Sequence, residues 1–216
     1  FQRKLMKEID LSTWKRRGHF AFFHRMDYPH FNVCFDIDIT DFAKKIKSSK
    51  LPFYFSLIYL STLSANKIEE FRYRIRDGKV FLHDSLTPSF TYMDGKDDDD
   101  LFKMITVEIS GDYNNFIKLA SEKSKNQKDY FIAEDFKDRD DFIYFTSLPW
   151  ISFTHLSHTI NFNKNDSVPR LSWGKYYERG SRIYLPYSVQ VNHALADGIH
   201  IAKFKDTLEN LLNNFN

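Results

Sequence analysis

Residues 183–200 read IYLPYSVQVNHALADGIH, and they indicate both the architecture of the chain and the place of its chemistry. Apolar side chains occupy every second position of the first nine residues, which is typical of a strand. Small and polar residues follow, and an amphipathic pattern over 200–213 predicts a closing helix. The stretch therefore predicts a strand that delivers His193 into a turn, followed by a helix.

The rest of the chain predicts many strands and several helices without regular alternation of the two. We expect an α+β fold of two layers, in which a mixed sheet is covered by helices on one side. The sequence contains no linker and no internal repeat, so residues 6–216 are predicted to form one domain. Residues 1–5 precede Met6, a possible native start, and are left out of that domain. Helices are predicted from a cap at Ser12 or Thr13, after Thr40-Asp41, and over 53–68 and 113–123, and further strands over 31–39, 71–75, 80–83, 101–109, 142–145, 157–162 and 171–176.

Composition excludes several classes of function. Among 216 residues, 31 Lys and Arg face 29 Asp and Glu, so the net charge of +2 predicts neither nucleic acid nor a membrane surface as a partner. A single cysteine, Cys34, rules out an intrachain disulfide and predicts a cytoplasmic location, with the thiol a small buried hydrophobe. No run reaches the roughly 18 apolar residues of a membrane span.

His193 is the strongest candidate for chemistry, because a histidine at a strand end can be both rigid and accessible. An imidazole with an ordinary pKa of about 6.5 takes a proton from a hydroxyl near neutral pH. Asp197, four residues on, could orient the ring or pair with an arginine. Spacing alone supports equally well a structural turn histidine with Asp197 as a helix cap.

Three other clusters call for no special chemistry. His155 and His158 would lie on opposite faces of a strand, so we expect no metal there. Arg72, Arg74 and Arg76 alternate, which favours a solvated or ion-paired strand face over an anion site. The run Asp97–Asp100 is typical of a solvated loop tip and lacks the spaced ligands of a calcium loop.

The chain resembles the chloramphenicol acetyltransferase family, within the superfamily of coenzyme A-dependent acyltransferases. The likeness rests first on residues 188–200, SVQVNHALADGIH. Further matching segments follow in family order along nearly the whole chain: Trp14–Phe20, Ile37–Thr40, Asp84-Ser85, Pro88, Phe90-Thr91, Leu148–Trp150 and Lys175-Tyr176.

The resemblance implies a chloramphenicol acetyltransferase-like fold that assembles as a homotrimer with active sites at subunit interfaces. His193 would be the general base for direct transfer from acetyl-CoA, the co-substrate, to an alcohol, most simply chloramphenicol, with antibiotic resistance as the outcome and without a metal. The other implied roles are loop-holding for Asp197 and Arg16, oxyanion donation for Thr146, and the coenzyme A side of the site for Ser172, Lys175 and Tyr176.

The departures from the family fall around the acceptor. Aromatic walls are implied at Phe22, Phe23, Phe31 and Phe102, although Phe23 replaces a tyrosine, and Asn192 replaces the first of two adjacent histidines. Tyr144, His158 and Arg170 replace the residues usual in the family, and they make the acceptor side more polar. Arg170 could point outward or pair with an acidic side chain. Two alternatives therefore stay open: an acetyltransferase for a more polar alcohol, and a family-fold protein that binds coenzyme A without efficient catalysis.

Overall fold

The computed structural model describes residues 6–93, 101–160 and 162–215. Its helices are α1 (Arg17–Phe23), α2 (Thr40–Ser49), α3 (Phe53–Asn66), α4 (Glu69–Arg72), α5 (Tyr113–Asn126), α6 (Ala133–Phe136) and α7 (Gly198–Asn213). Its strands are β1 (Met6–Glu8), β2 (His30–Asp38), β3 (Tyr73–Arg76), β4 (Lys79–His83), β5 (Thr87–Tyr92), β6 (Lys103–Thr106), β7 (Phe142–Leu148), β8 (Arg170–Gly174), β9 (Tyr177–Arg179) and β10 (Arg182–Asn192).

A mixed sheet in the order β2-β10-β8-β7-β5-β6, with β9 attached to β10, forms the centre of the molecule. β7 runs parallel to β5 and β8, whereas the pairings of β10 with β2, β8 and β9 and of β5 with β6 are antiparallel. One face packs on α2, α3, α5 and α7 through a core that includes Phe42, Phe90, Phe145, Tyr187 and Phe204. The predicted α+β architecture is confirmed.

Helix α3 is buried nearly all round, as its continuous apolar pattern predicts. Its hydroxyl groups avoid a desolvation cost by bonding within the helix, since Thr62 and Ser64 donate to carbonyls four residues earlier. The predicted hairpin of β3 and β4 is also present, and its turn places Asp77 and Gly78 at φ 49° and 75°. Both values suit a two-residue primed turn.

The other face of the main sheet is polar where β7, β8, β10 and β2 lie side by side. Thr146 pairs with Ser172, which pairs with Ser188, which pairs with Cys34, so these four side chains form one row. An irregular segment, described over residues 149–160 and 162–169, crosses this face and binds it through Asn32, whose amide donates to the Leu156 carbonyl.

Gly174 lets that segment approach the sheet closely. A Cβ atom at this position would lie 2.7 Å from the Ile151 carbonyl oxygen, which no side chain tolerates. The same carbonyl accepts a hydrogen bond from the Lys175 amide at 2.7 Å. The end of β8 and the start of the crossing segment are therefore locked together.

Three expectations from the sequence were wrong. Helix α1 begins at Arg17, because Ser12 and Thr13 bond to Asp10 in a turn that ends before the helix. Residues 157–160 form no strand, because their polar contacts go to side chains of the sheet face rather than to a neighbouring strand.

The third concerns Arg74, which is fully buried and donates to four backbone carbonyls instead of facing solvent. Arg76, two residues on, forms the expected ion pair with Asp140. The acidic run Asp97–Asp100 lies outside the described residues. Among the helices of the described ranges, none is both long and apolar enough to cross a membrane.

Candidate active site

His193 stands at the end of β10, where the strand turns toward α7. Its amide donates to the carbonyl of Pro29 at 2.7 Å, so the residue just before β2 fixes the backbone. The imidazole lies between two rings, stacked on Phe23 at 4.0 Å between centroids and tilted on Phe31 at 4.3 Å. About a third of the side chain, 32%, is exposed. The ring is therefore held on both faces while one edge reaches solvent.

The loop after His193 is held by Arg16. This guanidinium donates to the carbonyls of His193 and Ala194, at 2.8 and 3.0 Å, and to both carboxylate oxygens of Asp197. The hydrogen bonds from Arg16 lower the pKa of Asp197 below its ordinary value, although partial burial opposes the shift. Asp197 therefore stays ionised across neutral pH.

The same carboxylate faces the ring of His193. Asp197 Oδ1 lies 3.1 Å from Nδ1, a distance that allows an electrostatic contact, although the angle is poor for a hydrogen bond. A negative charge at this edge favours the tautomer that carries its proton on Nδ1. The lone pair of the imidazole then lies on Nε2.

Helix α7 contributes to the same loop through its capping box. The Asp197 amide donates to His200 Nδ1 at 2.8 Å, and His200 Nε2 lies 3.3 Å from Glu70 Oε1. His200 was not predicted from the sequence as a member of this group. A histidine at the third helical position is an uncommon partner for a capping box, so the spacing gave no signal.

A cavity of about 1250 Å³ lies at the carboxyl ends of β7 and β8. Its walls are largely aromatic, and seven residues singled out from the sequence contribute to them: Phe102, Tyr144, Thr146, His158, Arg170, Lys175 and Tyr176. Sequence reasoning assigned no role in the site to Phe53, Tyr54 and Trp173, which look like ordinary core aromatics, or to Trp150, which was named only as part of a matching segment.

Thr146 carries a hydroxyl that forms no hydrogen bond to the rest of the described chain, and the residue lines the cavity. Ser172, beside it on β8, is fully buried and bonded to His158 Nε2 at 2.8 Å. Thr146 therefore offers the cavity a free donor, whereas the hydroxyl of Ser172 is already in use.

Arg170 meets an acid, as one of the alternatives from the sequence allowed. Its guanidinium forms two hydrogen bonds with Asp166, at 2.7 and 3.3 Å, and a third with the Val168 carbonyl. It also lies over the ring of Tyr144, 5.8 Å from the centroid. Its charge is therefore compensated within this wall of the cavity.

His193 does not line the cavity that contains Thr146, and neither do Phe22, Phe23, Phe31, Ser172, Asp197 or Arg16. Ser188 pairs with Ser172, Thr146 lies one strand further on, and four further residues of β10 separate Ser188 from His193. At about 3.3 Å per residue, His193 lies on the order of 15 Å along the strand from the row that contains Thr146, so the two residues are at least that far apart. Thr146 and His193 of one chain cannot contact the same reacting atom.

The described residues contain no cluster of three or more histidine, cysteine or acidic side chains that could hold a metal ion. His155 is exposed, and His158 is bonded to Ser172. The chemistry offered by these residues is acid–base and hydrogen-bonding chemistry, from groups at two separated places.

Comparison with known proteins gives a consistent result. A family model described as chloramphenicol acetyltransferase matches residues 5–209. Chloramphenicol acetyltransferase from Proteus mirabilis is 30% identical over 205 residues, covering 93% of this chain and 92% of the relative. Chloramphenicol acetyltransferase 3 from Escherichia coli is 29% identical, covering 95% and 96%.

Solved structures agree on the fold. A chloramphenicol acetyltransferase superposes with a TM-score of 0.88 at 24% identity, covering 96% of this chain and all of the other. The cubic core of the pyruvate dehydrogenase multienzyme complex has a TM-score of 0.66 at 15% identity, covering 90% and 86%.

Proposed function

This chain belongs to the chloramphenicol acetyltransferase family, and on that premise we propose that it transfers the acetyl group of acetyl-CoA directly to an alcohol, with chloramphenicol as the first acceptor to test. The chain is an acyltransferase by family. What we propose is the acetyl donor, the acceptor, and the roles of individual residues. A cytoplasmic location, favoured by the free thiol of Cys34, is part of the same proposal.

His193 acts as the general base in this proposal. The main support is its placement, with the ring held between Phe23 and Phe31 and with Asp197 at Nδ1. Nε2 takes the proton of the acceptor hydroxyl as that oxygen attacks the thioester carbonyl. The protonated ring then returns the proton to the thiolate of coenzyme A, so acetyl ester and free thiol are the products.

Thr146 donates its free hydroxyl to the oxyanion of the tetrahedral intermediate. A β-branched side chain restricts the rotamer of this donor, which helps to hold it in place. Removal of one oxyanion donor typically costs about 10²–10³ in kcat. Lys175 and Tyr176, which line the cavity and are exposed, would contact coenzyme A.

We propose a homotrimer, as the resemblance implies, and the separation of these two groups supports a site shared between subunits. Since His193 and Thr146 lie at least on the order of 15 Å apart in one chain, a complete site requires His193 of one subunit beside Thr146 of another. Exposed apolar side chains near His193, including Phe22, Met26 and Tyr28, are suited to such an interface. A monomeric mass at micromolar concentration in solution would contradict this part.

The decisive assay measures thiol release from acetyl-CoA with chloramphenicol as acceptor. His193→Ala should lower kcat by about 10²–10⁴, the usual contribution of a general base. Thr146→Val should lower it by about 10²–10³, whereas Thr146→Ser, which keeps the hydroxyl, should stay near wild type. Full activity of His193→Ala would reject the mechanism, and turnover only with other alcohols would reject chloramphenicol.

A further inference from the structure

One end of the cavity, called the acceptor end here, is polar although most of the cavity wall is aromatic. It consists of Tyr144, His158 and Arg170 with their partners Ser172 and Asp166. Polar side chains in such a place are costly unless each finds a partner. Which of them are already paired, and which are left for a ligand, indicates what the cavity accepts.

The imidazole of His158 is fixed in orientation. Nε2 lies 2.8 Å from the hydroxyl of Ser172, and the amide of His158 donates to the side chain of Gln190 at 3.2 Å. Burial, together with the positive charge of Arg170, lowers the pKa of His158 to about 4. The ring is therefore neutral at pH 7, and its second nitrogen, Nδ1, has no partner in the part of the chain that the structure describes.

Arg170 is not available to a ligand in the same way. Two hydrogen bonds to Asp166 and one to a backbone carbonyl occupy its donors, and the side chain is only 12% exposed. Its positive charge is balanced by that carboxylate. An anionic acceptor would have to break this pair to gain a partner.

Tyr144 offers the second free group. Its ring lies under Arg170, and its hydroxyl has no partner within the described ranges. Burial raises the pKa of Tyr144, so the hydroxyl stays protonated and can both donate and accept. The acceptor end thus holds two unpaired neutral hydrogen-bonding groups and no unpaired charge among the described residues.

We infer that His158, assisted by Tyr144, determines acceptor specificity by hydrogen bonding. The acceptor end selects neutral alcohols that carry a second hydroxyl or amide group and discriminates against alcohols without one. The inference rests on the proposed function, because it assumes that the acceptor occupies this end of the cavity. An alcohol lacking the second group would leave Nδ1 desolvated and unpaired, and sites built in this way reject such analogues strongly.

Binding of a matched pair of probes tests the inference separately from turnover. The probes are 1-phenyl-1,3-propanediol and 3-phenyl-1-propanol, which differ in one hydroxyl, and the readout is quenching of the fluorescence of Trp150 and Trp173 in the cavity wall. We expect wild type to bind the diol at least about tenfold more tightly. His158→Leu should reduce this preference to about twofold or less.

Two further variants protect the test against misfolding. His158→Leu combined with Ser172→Ala removes both partners of the buried hydrogen bond, which is tolerated better than leaving one unpaired. It should show the same loss of preference. Tyr144→Phe should show a partial loss. A third probe, 4-(3-hydroxypropyl)benzoate, should bind no better than 3-phenyl-1-propanol, since Arg170 is already paired.

Equal affinity of wild type for the diol and the monoalcohol would overturn the inference. A diol preference that survives in His158→Leu and in the double variant would also overturn it. Tight binding of the benzoate would show that the acceptor end presents a free charge and would overturn the restriction to neutral acceptors. Diol preference without acetyl transfer to any alcohol would instead reject the proposed function and leave the specificity of the cavity intact.

Discussion

Arg16 and Arg74 both bind backbone carbonyls, but in two different surroundings. Arg16 bridges the carbonyls of His193 and Ala194 to the carboxylate of Asp197, in a loop with partly exposed side chains. Arg74 is completely enclosed and donates to the carbonyls of Phe71, Tyr73, Asp140 and Phe142.

The comparison distinguishes Arg16, which holds the loop of the proposed base, from Arg74, which stabilises the fold. Burial lowers the pKa of Arg74 to about 10, so the group is still charged at pH 7 and its carbonyl partners must solvate it. That arrangement joins the small sheet, β1-β4-β3, to the start of β7 in the main sheet. Arg16 instead joins α1 to the loop of His193. Loss of Arg74 should therefore affect stability, and changes around Arg16 should affect activity.

The largest effect is expected from Arg74→Leu. Four carbonyls, three of them in buried residues, lose this donor, and we expect the free energy of unfolding to fall by about 3–5 kcal/mol. The matched control is Lys79→Leu, on the neighbouring strand β4, where an exposed ion pair with Glu8 is worth about 1 kcal/mol or less. Urea denaturation of both variants measures the difference. Equal losses would show that the carbonyl cluster does not hold the two sheets together.

The second effect belongs to the loop of His193. Asp197→Asn keeps the size of the side chain but removes the charge that faces Nδ1 and neutralises Arg16. Since misplacement of a catalytic group by about 1 Å can cost 10²-fold, we expect kcat to fall by about 10–100-fold. The change in unfolding free energy should stay below that of Arg74→Leu.

Asp206→Asn, on the exposed side of α7, is the control for Asp197→Asn and should leave kcat and KM unchanged. Steady-state kinetics of thiol release and urea denaturation on the same preparations give both quantities. Wild-type kcat in Asp197→Asn would mean that the carboxylate does not position the base.

Sequence patterns predicted local structure and missed the long-range partners of buried polar groups. The run of apolar residues in α3 and the Asp-Gly turn between β3 and β4 are encoded within a few residues, so both predictions were confirmed. The burial of Arg74 depends on carbonyls of Asp140 and Phe142, far along the chain, and its alternation with Arg72 and Arg76 suggested a solvated or ion-paired face instead.

The candidate site divides in the same way. His193 and Asp197 are close in sequence and could be paired by spacing, although their roles stay predictions. The bond between His158 and Ser172 depends on the path of residues 149–160 across the sheet, which no periodic pattern describes. Gly174, which permits that path, resembles any other strand glycine until the Ile151 carbonyl is placed against it.

Acid should destabilise the loop of His193 at a higher pH than the junction held by Arg74. Burial lowers the pKa of His30, which lies beside Asn192 at the base of the loop, to about 4, as it does for His158. These histidines bind protons more readily in the unfolded chain, so stability falls as the pH drops from about 6.5 to 4. Each contributes a slope of up to about 1.4 kcal/mol per pH unit.

The junction held by Arg74 should respond only at lower pH. Although burial opposes the shift, hydrogen bonds from Arg76 and His83 lower the pKa of Asp140, so its stabilising effect is complete above about pH 4 and is lost below it.

The variant His30→Leu tests the response of the loop. Between pH 7 and 4.5, its free energy of unfolding, measured by urea denaturation at each pH, should fall less steeply with pH than that of wild type. Identical slopes would mean that His30 titrates normally.

The smallest effect should come from a substitution of His200. It compares the contacts to the carboxylate of Asp197 with the contact to its backbone amide. Arg16 and His193 face the carboxylate of Asp197, whereas His200 accepts from its amide and closes the cap of α7. His200→Ala should therefore cost about 1 kcal/mol of stability, as other lost caps do, and change kcat by less than about threefold. Lys203→Ala, exposed on the same helix, should change neither. If His200→Ala instead lowered kcat as much as Asp197→Asn, the hydrogen bond from the Asp197 amide would position His193 as strongly as the carboxylate does. The residues that position His193 would then extend from Arg16 to Glu70.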